Sequence, residues 1–554
     1  MCFAPKTRGV SGVGPRPAPR TARLPRAVAL TLLLATFSAW VDGVAAAREA
    51  NVPTATFNRI SFSGNTALST SSLDAIASEF VNRAITDEEL QALRRRIDEA
   101  YAEAGFRTSR ATIPNQDLHG GELRIEVIEG GVERIDIEGA KHLSPDYLRA
   151  RIGAGLGVPL DVERLNDNLR TLLIEQVVKN LRASFQPGSA PGKTRLLVVV
   201  EEGPRFGGGL RVANDRSPAA GGVRGAIDVG MQNLFGTGDE VDVTLGKSDG
   251  LHDFDIRFRT PLNAHGTELQ ARWNTYQSTL VEEQFAVLDA ETKGRGAELG
   301  LSQALWRRAG RVIGLSARFT SRQSESFLRG EPFSFSPGAE NGRLDVKALR
   351  MGWSWSERRR QDILSFRQTW SVGLRGLGGT EHFDGLPDSS FHTLITQAQW
   401  LHTFGPRAGG LFLRADWQDA DQPLLSLEKF GIGGLGSVRG YRRARVVRDN
   451  GWTAAAEYRL PLFSLPVPGV SQAGNDGQFS LLAFVDAGRG WNEHDPNDAP
   501  RTLLAAGPGL RWDVARGMRA ELYWAAARRH LPGEANDDIQ DQGIHFAITA
   551  RRGF

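Results

Sequence analysis

The residues best placed to do chemistry lie in one glycine-rich stretch. It reads Gly431-Ile432-Gly433-Gly434-Leu435-Gly436-Ser437, then Val438-Arg439-Gly440-Tyr441, with Arg442, Arg443, Arg445 and Arg448 following. Glycine at this density lets a backbone turn tightly or lie against another surface. It leaves Arg439 as a guanidinium to be aimed at something. Gly431, Gly433 and Gly436 also fit G-x-G-x-x-G, but a dinucleotide site needs a helix after the last glycine. Ser-Val-Arg-Gly-Tyr-Arg-Arg has no helical apolar period, so nucleotide binding is rejected. A second group is Phe484-Val485-Asp486-Ala487-Gly488. Phe479, Leu481, Ala483 and Val485 share one face of that segment, which puts Phe484 and Asp486 on the other. Catalytic patterns are not found. The ten histidines are scattered, with no H-E-x-x-H, and no G-x-S-x-G occurs. Glu282-Glu283 and Asp537-Asp538 lie in polar loops and read as solvated charge. The expectation is a protein that is not an enzyme, with no catalytic residue, metal or cofactor.

The elements that must position these residues begin after a leader. Lys6, Arg8, Arg16, Arg20, Arg23 and Arg26 precede an apolar run, Ala27 to Val41, and then Ala45-Ala46-Ala47. This is the pattern of a secretory signal peptide over residues 1–47. The whole chain carries 67 Lys+Arg and 64 Asp+Glu, net +3. Without the leader's six basic residues and Asp42 the balance becomes −2. The basic balance therefore belongs to the leader and is no nucleic-acid footprint. The single cysteine, Cys2, lies in the leader too, so the exported part has no disulfide. Beyond it no run approaches the ~18 apolar residues of a membrane helix.

Residues 48–204 contain a repeat. Arg59-Ile60-Ser61-Phe62-Ser63-Gly64 recurs 75 positions on as Arg134-Ile135-Asp136-Ile137-Glu138-Gly139. Thr86-Asp87-Glu88-Glu89 is a capping box that opens a helix with Leu90, Leu93, Ile97 and Tyr101 on one face. At the same offset Asp161 opens a second helix bearing Leu165, Leu169, Leu172 and Leu173. Leu123–Gly130 is echoed by Leu196–Gly203, offset 73. Each unit reads β-α-α-β-β. From about residue 205 the pattern becomes period two. Asp253-Phe254-Asp255-Ile256-Arg257-Phe258-Arg259 puts apolar residues on one face and charges on the other. About 16 such segments follow, each near the ~9–11 residues of a tilted membrane strand. Trp273, Trp306, Trp353, Trp400 and Trp524 are read as lying toward segment ends, as interface girdles do. Long polar connections such as Phe327 to Arg343 and Gly376 to Ser390 separate segments. Alternation alone does not choose between a soluble sandwich and a membrane barrel; segment length, the tryptophans and an alternating last segment ending in Phe554 favour the barrel, whose even strand count returns both ends to the side of the repeats.

Val438-Arg439-Gly440-Tyr441 matches the tetrad of two-partner secretion transporters, the TpsB (ShlB/FhaC/HecB) family, and Phe484-x-Asp486-x-Gly488 resembles the second motif of their superfamily. The repeats resemble POTRA domains, and Asn233–Asp239 resembles the family's early barrel turn. The resemblance implies a signal peptide at 1–47, POTRA-like domains at 48–130 and 131–204, and an outer-membrane β-barrel at 205–554 whose loop 427–450 folds inward. It implies that Arg439 pairs with Asp486 inside the barrel. A bidentate pair there would set geometry as well as energy. The last strand ends at Phe554 and looks like the signal read by barrel-assembly machinery. Only Arg48 to Thr56 precede the first strand, so the family's plug helix is expected to be absent or very short. The implied function is type V export of one large, unfolded hemolysin- or adhesin-like partner across the Gram-negative outer membrane, with or without its activation. The POTRA-like domains would take it up in the periplasm. Outer-membrane lipid is the expected surroundings, and nucleic acid is not an expected partner. The alternatives are a barrel-assembly or insertion factor, a passive porin or receptor, and a surface enzyme.

Overall fold

The computed structural model describes residues 54–553, apart from 118–119, 175–177, 309, 383–384, 406, 475, 494–500 and 529–537. The leader at 1–47 and Phe554 lie outside the described residues.

Both repeats fold as three-stranded sheets under two helices. In the first, Arg59–Ser63 runs parallel to Glu122–Ile128, which pairs antiparallel with Arg110–Thr112. In the second, Gly131–Glu138 runs parallel to Lys193–Glu202, which pairs antiparallel with Val178–Pro187. The helices are Thr70–Ala77 and Asp87–Glu103, then Pro145–Gly153 and Val162–Ile174. The first repeat adds a small ribbon, Thr54–Thr56 with Ala84–Thr86. Helix faces and strand alternation meet as their periods require. Leu93, Ile97 and Tyr101 pack on Leu123 and Ile125, and Leu165, Leu169 and Leu172 on Leu196 and Val198. Leu173 departs from the expected face and stays 38% exposed. The capping box forms, with Glu89 N donating to Thr86 Oγ1 and Thr86 N to the Glu89 carboxylate.

One carboxylate closes each repeat. Glu129 accepts from Thr66 N at 2.7 Å, Ala67 N at 2.8 Å and the Tyr101 hydroxyl at 2.9 Å. Glu202 accepts from the backbone N–H of Lys141, His142 and Leu143 at 2.6–2.8 Å. Burial works to raise each acid's pKa, but the hydrogen bonds outweigh it, so both lie below the ordinary carboxylate range.

Sixteen antiparallel strands then close a barrel. They are β1 Phe206–Ala213, β2 Arg224–Gln232, β3 Glu240–Lys247, β4 Leu251–Pro261, β5 Thr267–Thr279, β6 Ala290–Arg308, β7 Arg311–Leu328 and β8 Arg343–Arg358. β9 Asp362–Gly373, β10 His392–Gly405, β11 Gly409–Ala420, β12 Asn450–Ser464, β13 Gln478–Trp491, β14 Arg501–Ala515, β15 Met518–Trp524 and β16 Ile544–Gly553 complete it. β16 pairs with β1 from Ala547↔Ala213 to Gly553↔Gly207, which closes the ring. The second repeat sits at the end holding the β2–β3 turn, where Ser144 N donates to Gly236 O at 2.8 Å.

The outer face is apolar: Leu210, Ile227, Val229, Leu299, Leu315, Met351 and Trp370 are each 36–58% exposed. A closed wall with this surface suits lipid, because each strand of the ring pairs its backbone with a neighbour on both sides. Inward, charges pair across strands, as in Arg272 with Asp255 at 2.6 Å. The tryptophans divide. Trp306 and Trp524 lie at strand ends, but Trp273 lies mid-strand, edge-on to Phe254 at 5.6 Å. Alternation dictated its face, and nothing in alternation dictates its depth.

Candidate functional site

The segment 421–449 joins β11 to β12 and enters the barrel. Its stem is a ribbon, Phe430–Ile432 against Val446–Arg448. Beyond the stem the glycines reverse the chain, with Gly434 N donating to Val438 O at 3.0 Å. Val438 and Tyr441 are buried among Ile432 of the stem and Leu482, Phe484, Leu503, Ala505 and Ala525, from the inner faces of β13 and β14 and just past the end of β15.

Arg439 lies at the centre. Its Nε and Nη2 donate to the two carboxylate oxygens of Asp486 at 2.7 and 2.8 Å. Its backbone N–H adds a third bond to Asp486 at 3.1 Å. Nη1 donates to Glu457 on β12 at 2.6 Å. Asp486 is 0% and Arg439 6% exposed. The second carboxylate is balanced by Arg459, whose Nε donates to Glu457 at 2.8 Å. The guanidinium also stacks on Phe484, 3.6 Å from the ring centroid, with Tyr523 at 4.6 Å. A planar cation held in its plane by carboxylates and capped by rings has every favourable direction filled.

The neighbours explain the rest of the motif. Gly440 has φ +85, which other residues rarely adopt, and its N–H donates to His545 Nε2 on β16 at 2.8 Å. The Tyr441 hydroxyl donates to Leu504 O at 3.2 Å. A Cβ on Gly488 would stand 2.7 Å from Ile432 Cγ2 and 3.1 Å from Val438 Cγ2, so the strand must be bare where the loop crosses it.

Arg442 reaches outward from the tip. It pairs with Asp541 at 2.6 Å and with Glu282 at 2.8 Å, binding the loop to two other connections at that end. Glu282 was expected to be solvated charge, and the structure corrects this: its side chain is only 10% exposed. Asp537 lies outside the described residues.

The structure thus brings Val438, Arg439, Gly440, Tyr441, Phe484, Asp486 and Gly488 into one cluster. Sequence reasoning missed Glu457, Tyr523 and His545. The available signal was phase: each falls on the inward face of its strand, and His545 is the one polar side chain in Ile544-His545-Phe546-Ala547-Ile548. Among the described residues, no group of three His, Cys, Asp or Glu side chains is arranged to hold a metal. The arrangement holds a loop in place; it has no nucleophile and base set against an open position.

Comparison with known proteins agrees with the motifs. Residues 192–512 match the model of the haemolysin secretion/activation protein family ShlB/FhaC/HecB, and residues 55–130 match the ShlB-type POTRA domain. The outer membrane transporter CdiB of Dickeya dadantii is 23% identical over 85% of this chain and 81% of its own length. The heme/hemopexin transporter protein HuxB of Haemophilus influenzae is 22% identical over 72% of this chain and 71% of its own length. The solved structure of CdiB from Escherichia coli has a TM-score of 0.70 at 20% identity, covering 92% of this chain and 93% of the other, a likeness of fold.

Proposed function

The chain belongs to the haemolysin secretion/activation protein family ShlB/FhaC/HecB, and from that membership we propose that it captures one large, unfolded exoprotein and passes it outward through its barrel. It is an outer-membrane β-barrel transporter with its N-terminal domains in the periplasm. The repeats supply what capture needs. Among the described residues the outer strands of each sheet pair with one neighbouring strand only, Ala111 on the rim of the first donating to Asp98 at 2.7 Å, and an extended client can add at such an edge through main-chain hydrogen bonds of low sequence demand. The barrel supplies the passage, surrounded by lipid and inserted by the assembly machinery through its last strand. The partner is activated, where it is activated, as it folds outside, and that folding supplies the driving force. No catalytic step by this chain is part of the reading.

The observation that carries the proposal is the buried grip on Arg439. A pore for steady diffusion needs neither two β-edge repeats nor an inward loop whose cation is matched by a fully buried carboxylate. The deciding experiment co-expresses the chain with the large exported protein encoded beside it and quantifies that protein in the medium. Appearance only when the transporter is present is expected. A partner that stays in the periplasm, with falling levels of other outer-membrane barrels, would move the chain to the assembly factors. Steady conductance in a bilayer with no effect on any exoprotein would make it a porin.

A further inference from the structure

The loop that carries Arg439 has a second attachment, on the opposite side of its stem. Leu424 and Leu425 are buried against Leu344, Val346 and Ala348 on the inner face of β8, and against Phe391. Just beyond them Glu428 is 8% exposed. Both its carboxylate oxygens accept from Arg350 Nη2, at 2.7 and 2.8 Å, and one accepts from Arg322 Nη1 at 3.3 Å. Arg350 is firmly seated. It is 6% exposed, its Nε donates to Thr320 Oγ1 at 3.1 Å, and its Nη1 donates to Ser371 Oγ at 3.0 Å.

Two more arginines complete the surroundings. Arg318 on β7 stands directly across from Arg350 in the β7–β8 register. Arg367 on β9 shares the inward phase of Ser371, the register partner of Arg350. Neither has a carboxylate within ion-pair distance among the described residues, and Arg318 Nε is buried without a hydrogen-bond partner. The acid on the neighbouring strand, Glu298, is in electrostatic reach of Arg318 but already faces Arg272 at 3.6 Å. Among the described residues, Glu428 is therefore the one carboxylate at ion-pair distance from any of these four guanidiniums, reached by Arg350 and Arg322, and a loop delivers it instead of the wall.

We propose that the Arg318–Arg322–Arg350–Arg367 cluster is a carboxylate-binding site in the channel wall, occupied at rest by the chain's own Glu428 and taken over by acidic side chains of an extended polypeptide in transit. The proposal rests on the transport reading and adds to it the chemistry of the cargo's contact. Arg350 is a buried cation, and stripped of Glu428 it must find another anion. An acidic segment supplies one that accepts the same charge-assisted hydrogen bonds from Arg350 Nη2 and Arg322 Nη1. Loop withdrawal and client entry then exchange one carboxylate for another, and the wall charge stays matched throughout.

The test uses the purified full-length protein in planar bilayers under a salt gradient, with oligoglutamate as probe and oligolysine as control. Glu428→Gln vacates the site without adding charge. Its current should shift toward anions, and oligoglutamate should block it at an about tenfold lower concentration than it blocks wild type. Oligolysine should not gain potency. Adding Arg318→Gln or Arg367→Gln to Glu428→Gln should reverse the gain; these side chains hold no ion pair, so the fold does not depend on them. Heat-modifiable mobility on gels verifies folding of each variant. Unchanged selectivity and block in Glu428→Gln, or equal gains for both peptides, would overturn the site. Because no exoprotein is present, such a failure leaves the secretion assay to judge transport independently.

Discussion

Arg439 shows how one buried cation can hold a loop. Removing one member of a buried, hydrogen-bonded ion pair costs roughly 3–5 kcal/mol, because the other charge is left unmatched. Asp486→Asn keeps the shape but turns a donor toward the guanidinium. We expect export to fall by about tenfold or more while the barrel still inserts, read as exoprotein in the medium against transporter in the membrane. Arg439→Ala added to Asp486→Ala should lose little beyond either change alone, since the two act as one unit. Full export by these variants would remove the grip from the mechanism. Gly488→Val tests the crossing point without touching a charge. The added Cβ meets Ile432 and Val438, so the loop should become cleavable by added protease in an otherwise folded barrel. Protection equal to wild type would show that the strand tolerates a side chain there.

At the level of elements, each repeat is closed by one carboxylate against the turn after its first strand. Glu129 and Glu202 lie below their ordinary pKa when folded: burial raises both, and it is outweighed at Glu129 by the Thr66 hydroxyl with the Ala67 and Thr66 N–H groups and at Glu202 by three backbone N–H groups. The sign follows from linkage: their stabilisation is complete above the unfolded value, ~4.3, and is lost as pH falls through the lowered folded values. The repeats should therefore resist protease from neutral pH down to about 4 and open below it. Glu129→Gln should weaken the first repeat by roughly 1.5–3 kcal/mol at neutral pH and flatten its acid response. A Glu129→Gln repeat with the wild-type acid profile would assign the pH dependence elsewhere. The barrel strands obey another rule. Their alternation set which face meets lipid, while the depth of a residue such as Trp273 followed from strand stagger.

For the whole molecule, sixteen strands return both ends of the barrel to the side of the repeats, so the repeats and one mouth of the barrel share one end. Removing residues 54–202 should leave a barrel that inserts and conducts but delivers no exoprotein to the medium. Secretion by that shortened chain would show that the repeats only space the barrel. Loop 421–449 is tied to β12 and β13 at its tip, to β8 at its root, and to two other connections through Arg442. Under the proposed transport, opening the passage displaces several ion pairs together, and exoprotein in the medium should fall alike when any one of them is removed.

Local pattern alone determined much of this protein. The 75-residue spacing determined two like units, and period two determined strands with one apolar face, while their closure into a ring was a matter of long-range pairing. Those are properties of neighbours along the chain, which helix and strand periods make readable. The Arg439–Asp486 pair was legible only through resemblance of two motifs, since 47 residues separate them and no spacing rule joins a loop to a strand. Tertiary structure alone decided the rest. Glu457, Tyr523 and His545 reach the site from three other strands because the barrel closes, and Glu428 meets Arg350 across 78 residues because the loop turns inward. A carboxylate on an inward face reads the same in sequence whether water or a guanidinium lies opposite. Only the curvature of the closed wall chooses between them.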